Sequence, residues 1–251
     1  MIPTYASPCG RLTLYHGCNL AVLPQLEPKS IDAVISDPPF GFGRPGSEGF
    51  QSHVVKHGTL KGIGDFDWNR ELPLEWIEPA SKLLRPGGAM VAWTDVVRTE
   101  TVWRAFEAAG VHPLRVLHWW KYSAPPNFRK NWPSHVESAV FGRIDGKVLA
   151  WDYKEAASPV IKHPAQPDDD RIHPMQKPTE VMRRCIAPVT RPGHVVLDPF
   201  MGSGSTGIAA LKTGRRFVGV ERDTSYFDAA VERLTRELEQ GRLFDAEAAT
   251  S

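Results

Sequence analysis

The chain has 251 residues and a formal net charge of +1 at pH 7, with 41% hydrophobic and 24% charged residues. This length suits one domain with an insertion and is short for two independent cores, so we expect residues 1–251 to form a single domain. The near-zero net charge excludes strong overall attraction to nucleic acid, so any such contact must be local. No stretch has the length and apolar character of a membrane span or signal peptide. Cys9, Cys18 and Cys185 lack metal-ligand spacing and cannot all pair, which indicates a reduced, cytoplasmic setting.

The first segment with recognisable chemistry is Asp37-Pro38-Pro39-Phe40, which follows the apolar stretch Ile31–Ser36. A carboxylate and a backbone carbonyl held side by side can accept both hydrogens of the exocyclic amino group of adenine or cytosine. The lone pair of that amino group is otherwise delocalised into the ring of the base. Two prolines stiffen the backbone that presents these acceptors, and the aromatic ring can stack on the base. We therefore predict Asp37, Pro38, Pro39 and Phe40 as the catalytic segment. The alternative is a plain turn after a strand.

The glycine-rich residues 41–67 follow this segment and carry several basic side chains. This composition predicts a lid over a cofactor or a nucleic acid. His53 and His57 have helical metal-ligand spacing, but no nearby cysteine or acid completes a site, so we predict no metal. Residues 83–93 then predict a helix end, a tight turn and the next strand.

Basic and aromatic residues alternate between residues 111 and 147, where only Glu137 and Asp145 are acidic. Cations and flat rings suit phosphate contact and base stacking. We expect strands over 114–120 and 137–141, and of the neighbours Trp119 and Trp120 one should point inward and the other outward. Residues 156–171 are expected to form an exposed linker or a short recognition insert. The predicted nucleic-acid contacts are Lys121, Arg129 and Lys130, within a target-recognition region that spans 111–172.

A nucleoside-binding pattern occupies the C-terminal third of the chain. Residues 194–210 indicate a buried strand, a glycine turn and the start of a helix. A second apolar run, Arg216–Glu221, ends in an acid that is placed for ribose hydroxyls. Strand, glycine loop, helix, strand and acid together predict half of a doubly wound, mostly parallel α/β sheet, followed by an amphipathic packing helix over 226–243.

The glycine loop alone leaves the cofactor open, because Gly202-Ser203-Gly204-Ser205-Thr206-Gly207 also matches the dinucleotide pattern G-x-G-x-x-G. A dinucleotide places an anionic pyrophosphate at such a loop, where Asp198 would repel it. S-adenosylmethionine carries an ammonium and a sulfonium, which an acid attracts. Asp198 therefore favours S-adenosylmethionine, while an NAD-dependent oxidoreductase rests on the glycine pattern alone. The phosphate-binding pattern of P-loop nucleotidases is absent from the loop.

The order of these segments is reversed relative to ordinary methyltransferases, because Asp37 comes early and Asp198 late. The chain resembles the beta class of DNA amino-methyltransferases, in which the catalytic motif comes first, the target-recognition segment follows and the cofactor loop comes last. The resemblance covers most of the chain. It implies a circularly permuted Rossmann-like methyltransferase fold, S-adenosylmethionine as the cofactor and DNA as the partner.

The resemblance extends to residues 173–182, which are similar to a lysine-proline segment that opens a helix beside the methionine end of the cofactor. One departure lies near the N-terminus, where the family has Gly-Asp and this chain has Gly17-Cys18. An acidic contact to the cofactor's adenine is therefore in doubt, and Asn19 or a backbone carbonyl can substitute. The implied cofactor-binding residues are Lys177, Thr179, Asp198, Phe200, Gly202, Ser203, Gly204, Ser205, Thr206 and Glu221.

The expected activity is site-specific transfer of a methyl group to the exocyclic N6 of adenine in DNA, because the resemblance associates Asp37 with adenine. A duplex hides the amino group, so we expect the base to be flipped out. The alternatives are N4-cytosine methylation, for which the family uses Ser-Pro-Pro-Tyr, and a nucleic-acid-binding protein without catalysis. The expected substrate is double-stranded DNA, with a homodimer as the expected assembly and no membrane partner.

Overall fold

The computed structural model describes residues 1–40, 72–122, 135–165 and 176–248, with side chains as far as residue 240. The strands are β1 (Tyr5–Ala6), β2 (Leu12–His16), β3 (Ile31–Ser36), β4 (Leu84–Thr94), β5 (His112–Trp120), β6 (Val136–Arg143), β7 (Val160–Lys162), β8 (Val195–Asp198) and β9 (Arg216–Glu221). The α-helices are α1 (Asn19–Val22), α2 (Ile77–Leu83), α3 (Thr99–Ala108), α4 (Thr179–Ile186), α5 (Ser205–Lys212) and α6 (Thr224–Ala248).

All strands in the described residues form one sheet in the order β1-β2-β9-β8-β3-β4-β6-β5-β7. The central run from β2 to β4 is parallel, while β6 is antiparallel to both of its neighbours. From the centre the chain passes outward from β3 to β4 and, in the opposite direction, from β8 to β9. The topological switch point therefore lies between β3 and β8. This confirms the predicted doubly wound, mostly parallel sheet with the catalytic segment before the glycine loop.

Helices cover both faces of the sheet, and the alternation of side chains along β4 divides the core between them. Ala89, Val91 and Trp93 belong to the cluster beneath α4, α5 and α6. Met90 and Ala92 belong to the cluster beneath α2 and α3. Because parallel strands are buried on both sides, β3 is buried along its whole length. Its residues are apolar except for Asp32 and Ser36.

Asp32 fixes the register of β3 against β8. Its side chain is 2% exposed; Oδ2 accepts the Val195 backbone N–H at 2.7 Å, and Oδ1 accepts from the half-exposed Arg85 guanidinium at 3.1 Å. The two strands then pair in register with Ala33 opposite Val196. This alignment sets where each strand ends, and hence where the residues that follow them lie.

The predicted strands and tail helix are present; β9 has the expected bounds, while β5, β6 and α6 are longer than expected. Trp119 is buried and Trp120 exposed, as the strand alternation predicted. In the described part of the stretch 156–171, which was expected to be an exposed linker or a short recognition insert, residues 157–160 are exposed, but β7 pairs in parallel with β5 and buries Ile161. Flanking prolines and charges conceal this three-residue strand in the sequence. No helix in the described part of the chain has the length and apolar character needed to cross a bilayer.

We predict that Asp32→Ala lowers the free energy of unfolding by about 1–3 kcal/mol, because it leaves the Val195 N–H buried without an acceptor. Arg85→Gln is the control and should cost less than about 1 kcal/mol, since that ion pair is half exposed. Urea denaturation of both variants measures the difference. Equal losses would show that the ion pair, and not the strand contact, carries the stabilisation.

Candidate active site

The ends of β3 and β8 meet at the switch point through two buried side chains. Ser36 is the last residue of β3, and its hydroxyl donates to Asp198 Oδ1 at 2.7 Å. Asp37 follows Ser36 directly, and the glycine loop follows Asp198. The predicted catalytic segment and the predicted cofactor loop therefore leave the sheet at the same edge, although they are far apart in sequence.

Asp198 organises the start of the glycine loop. Besides the Ser36 hydroxyl, its carboxylate accepts the Thr206 hydroxyl at 2.5 Å and the Phe200 backbone N–H at 3.0 Å. Burial raises the pKa of Asp198 to about 6, and the hydrogen bonds from Thr206 and Ser36 oppose the rise. The acid thus ties the loop and the first turn of α5 to the ends of both central strands.

Two glycines are required by the shape of the loop. Gly204 caps α5 in the left-handed conformation at φ +84°, which favours glycine. At Gly207 a Cβ would lie 2.6 Å from Leu234 and 2.8 Å from Phe217, so the absence of a side chain lets α5 approach α6 and β9 closely. The third glycine of the pattern therefore has the role of close helix packing. Ser203 donates to the Gln176 side chain at 2.9 Å, which joins the loop to the segment before α4.

Glu221 ends β9 beside the loop, in the place expected for an acid that contacts ribose. Its Oε2 accepts the Gly202 N–H at 3.0 Å and its Oε1 accepts the Asp223 N–H at 2.8 Å. Burial raises its pKa. Each carboxylate oxygen can accept more than one hydrogen bond, so these contacts orient Glu221 without exhausting its acceptors. On the other side of the loop, Asn19 donates to the Pro199 carbonyl at 3.3 Å.

Asp37 belongs to a chain of four alternating charges. Lys177 Nζ lies 2.5 Å from Asp37 Oδ1 and 2.9 Å from Glu137 Oε2. Glu137 Oε1 in turn lies 2.5 Å from Lys121 Nζ. The Lys177 side chain is 4% exposed, and its ammonium also lies 4.9 Å from the centre of the Phe40 ring. We call Asp37, Lys177, Glu137 and Lys121 the charge chain.

The contacts within the charge chain shift the pKa values of its members in different directions. Burial raises the pKa of Asp37 to about 6; Lys177 opposes the rise, and Glu137 adds to it. Burial acts in the same direction on Glu137, but Lys177 and Lys121 outweigh it and hold its pKa at about 2. Burial would lower the pKa of Lys177, yet its two carboxylate partners raise it. At neutral pH the chain is therefore charged throughout, and Asp37 is the member that takes up a proton on mild acidification.

The structure gathers most predicted site residues at one edge of the sheet. Phe40 and Lys177 lie with Asp37, and Thr179 begins α4 just after Lys177. Phe200 packs edge-on against Trp76 at 5.7 Å between ring centroids. The site roles assigned to all these residues stay predictions. No group of three or more histidine, cysteine or acidic side chains suited to a metal occurs among the described residues.

The predicted DNA contacts have different outcomes. The Lys121 ammonium points into the charge chain and lies 5.0 Å from the centre of the Trp119 ring, so a phosphate would have to compete with Glu137 for it. Arg129 and Lys130 lie outside the described residues, as do the predicted lid and the two histidines within it. Glu137 was not predicted as a site residue. The sequence feature that could have indicated Glu137 is its position as one of two acids in a basic and aromatic stretch.

A Rossmann-like sheet with an Asp-Pro-Pro-Phe segment and a glycine loop at one switch point defines a methyltransferase architecture. The family model described as DNA methylase, N6_N4_Mtase, matches residues 149–232. The Type II methyltransferase M2.DpnII of Streptococcus pneumoniae is 28% identical over 245 residues, covering 91% of each chain. Type II methyltransferase M2.LlaDCHI of Lactococcus lactis subsp. cremoris is 27% identical over 239 residues, covering 89% of each. These matches support a DNA amino-methyltransferase and confirm the family resemblance seen in the sequence.

Solved structures share the fold over most of the chain. The crystal structure of an M1.HpyAVI–SAM complex aligns with a TM-score of 0.66 and 25% identity, covering 89% of this chain and 100% of that one. The PvuII DNA methyltransferase, described as cytosine-N4-specific, aligns with a TM-score of 0.69 and 17% identity, covering 95% of this chain and 94% of that one. The second likeness shows the fold alone.

We predict that Thr206→Val costs about 1.5–3 kcal/mol in free energy of unfolding, because Asp198 loses a buried hydroxyl donor to its charged form. Thr94→Val is the matched control, since the Thr94 hydroxyl is buried with no hydrogen-bond partner among the described residues. That variant should be neutral or more stable. Thermal and urea denaturation measure both. A Thr206→Val protein as stable as the Thr94→Val protein would contradict the bracing role of Asp198.

Proposed function

We propose that the protein transfers a methyl group from S-adenosylmethionine to the exocyclic N6 amino group of adenine in DNA. The observation that carries the proposal is the position of Asp37. It leaves the sheet at the switch point beside the glycine loop, is largely buried, and is held by an ion pair to Lys177. This arrangement presents a carboxylate acceptor next to the place where a nucleoside-like cofactor binds in such folds.

The residues around the loop fit S-adenosylmethionine by their charge. Asp198 is a buried acid at the start of the glycine loop and Glu221 is an acid beside it, and the segment from Gly202 to Gly207 contains no basic side chain. This concentration of negative charge suits a ligand with an ammonium and a sulfonium and disfavours a pyrophosphate. We assign the cofactor contacts to the glycine loop, Lys177, Thr179, Phe200, Asp198 and Glu221. When bound, S-adenosylmethionine supplies an electrophilic methyl group.

The chain's own residues prepare the amino group for that methyl. We assign Asp37 and the Pro38 carbonyl to accept the two amino hydrogens, which returns the lone pair to the nitrogen. Pro39 stiffens the presenting backbone, and Phe40 stacks on the flipped base. The rate enhancement in this scheme comes from positioning and electrostatics, because the acceptors are fixed before the base arrives.

The choice of adenine rests on the family association of Asp37 with that base. N4-cytosine methylation is the second candidate, because the family model that matches residues 149–232 is named for both N6 and N4 methylation. Both reactions need the same two acceptors, so the assignment of Asp37 is common to them. An NAD-dependent oxidoreductase is disfavoured by the acidic crevice.

The proposed substrate is double-stranded DNA, with phosphate contacts from Arg129 and Lys130 and a target-recognition region over 111–172. A homodimer is the proposed assembly, and the cytoplasm is the proposed location. The Type II designation of both curated relatives supports a role in restriction and modification.

Two variants separate chemistry from cofactor binding. Asp37→Ala removes the acceptor and should lower single-turnover methyl transfer by at least ~100-fold, with little change in S-adenosylmethionine affinity. Glu221→Gln should weaken S-adenosylmethionine binding while sparing the rate at saturation. Calorimetry with S-adenosylmethionine and with NAD, and quenched-flow assays, measure both effects. Near-normal turnover by Asp37→Ala would reduce Asp37 to a turn residue, and binding of NAD alone would overturn the cofactor.

The target base is tested by expressing the protein in a methylation-deficient host and digesting the DNA to nucleosides. Mass spectrometry should find N6-methyladenine, and cells that express Asp37→Ala provide the background. Detection of N4-methylcytosine without N6-methyladenine would change the assigned target base from adenine to cytosine and leave the role of Asp37 intact. Modification-aware sequencing of the same DNA returns the recognition site.

A further inference from the structure

We propose that Glu137 is a positioning residue that anchors Lys177, so that Lys177 engages one oxygen of Asp37 and leaves the other for the target amino group. The inference rests on the proposed methyl transfer for its purpose, but the electrostatic arrangement is testable without it. Glu137 has no contact assigned to cofactor or base, and it acts here only through Lys177.

The geometry gives Lys177 a defined place. An ammonium has three donors, and two of them reach Asp37 Oδ1 and Glu137 Oε2 at 2.5 and 2.9 Å. The rings of Phe40 and Trp93 lie 4.9 and 5.0 Å from the ammonium. A buried cation between two carboxylates and two rings has little room to move, so its position determines which Asp37 oxygen is occupied.

Glu137 is itself held from two sides. It lies on β6 opposite Trp119 of β5, and Lys121, just beyond β5, contacts its second oxygen at 2.5 Å. The side chains of Lys121 and Glu137 are each 17% exposed. The carboxylate therefore bridges two ammonium groups that come from different parts of the chain. Without it, Asp37 would be the remaining anionic partner of Lys177 among the described ion pairs.

This bridge controls the electrostatics of Asp37. With Glu137 present, the charge chain contains two cations and two anions and is balanced. Without the Glu137 charge, Lys177 would be drawn to Asp37 alone, and the carboxylate would become a weaker acceptor for the amino hydrogens. Without Lys177, Asp37 and Glu137 would be two buried acids in close proximity, and one of them would take up a proton.

The other groups that face Asp37 are few. Asp198, from β8, adds a second negative charge. Cys185 of α4 faces Lys177 and Asp37, and burial raises the pKa of its thiol to about 12, so it stays neutral. Lys121 acts through Glu137. Among the described residues, the ionisation of Asp37 is therefore set by burial, Lys177, Glu137 and Asp198.

The test is a ¹³C NMR titration of the full-length protein with labelled aspartate carboxyls, in which Asp37→Asn assigns the Asp37 signal. Glu137→Gln should lower the midpoint of Asp37 by about one pH unit or more, because a like charge is removed. Lys177→Met should raise it by a similar amount. Glu155→Gln is the matched control for replacing a carboxylate by an amide, since Glu155 pairs with Arg183 at the surface and should leave the midpoint unchanged.

Single-turnover methyl transfer measured across pH gives the second readout. In the wild type the rate should rise with pH through about 6, because the ionised Asp37 carboxylate is a stronger hydrogen-bond acceptor than the neutral acid. Glu137→Gln should move this limb to lower pH and reduce the plateau by about 10- to 100-fold, as expected for a misplaced acceptor. S-adenosylmethionine affinity should change less than the plateau rate, because Glu137 acts on the cofactor only through Lys177, which is one of several assigned contacts.

Glu137→Asp keeps the charge and shortens the reach, so it should hold the midpoint near the wild-type value while the plateau still falls. It also serves as the second variant if Glu137→Gln fails to fold. An unchanged Asp37 midpoint in Glu137→Gln, or shifts of the same sign in Glu137→Gln and Lys177→Met, would overturn the positioning role. If the two variants shift the Asp37 midpoint in opposite directions but the wild-type protein methylates no DNA, the charge chain is supported and the proposed function is rejected.

Discussion

The hydrogen bond from Ser36 to Asp198 joins two segments that must meet for the site to exist. Ser36 precedes the proposed catalytic segment, and Asp198 precedes the glycine loop, so this contact brings both to one edge of the sheet. The same carboxylate also accepts the Thr206 hydroxyl, which orients the first turn of α5. The circular permutation leaves this arrangement intact, because strand adjacency and not chain order determines which ends of strands share a crevice.

The crevice contains three acids that the fold stabilises in different ways. Asp198 is surrounded by hydroxyl and amide donors, Glu221 by backbone amides, and Asp37 by the ammonium of Lys177. Burial raises the pKa of all three, so their surroundings decide how readily each stays ionised. Hydrogen bonds suit an acid that shapes a loop. An ion pair to Lys177 that also depends on Glu137 suits the role proposed for Asp37, which is to accept a hydrogen from a neutral base.

Local patterns predicted much of the site, and contacts distant in sequence did not follow from them. The buried strands, the glycine loop and the prolines of the catalytic segment are encoded in short runs of residues, so the switch point and the place of Asp37 could be predicted. Glu137 contacts Lys177 only because β6 is inserted beside β4, an order that no local signal specifies. For the same reason the ion pair between Lys121 and Glu137 did not follow from the sequence. The short strand at Ile161 was missed because it is defined by its pairing with β5, which is distant in sequence.

The buried contact between Asp32 and Val195 has a consequence for how the chain is made. During synthesis β3 emerges long before β8, and the two are 163 residues apart at this contact. At about 5–20 residues per second, the ribosome needs on the order of ten to thirty seconds to deliver the partner strand. Throughout that interval the central strand of the final sheet is an open apolar edge with a carboxylate at its second residue. An unpaired charge on a strand edge discourages pairing with other chains, so we expect Asp32 to oppose aggregation of the nascent protein before it aligns the finished sheet.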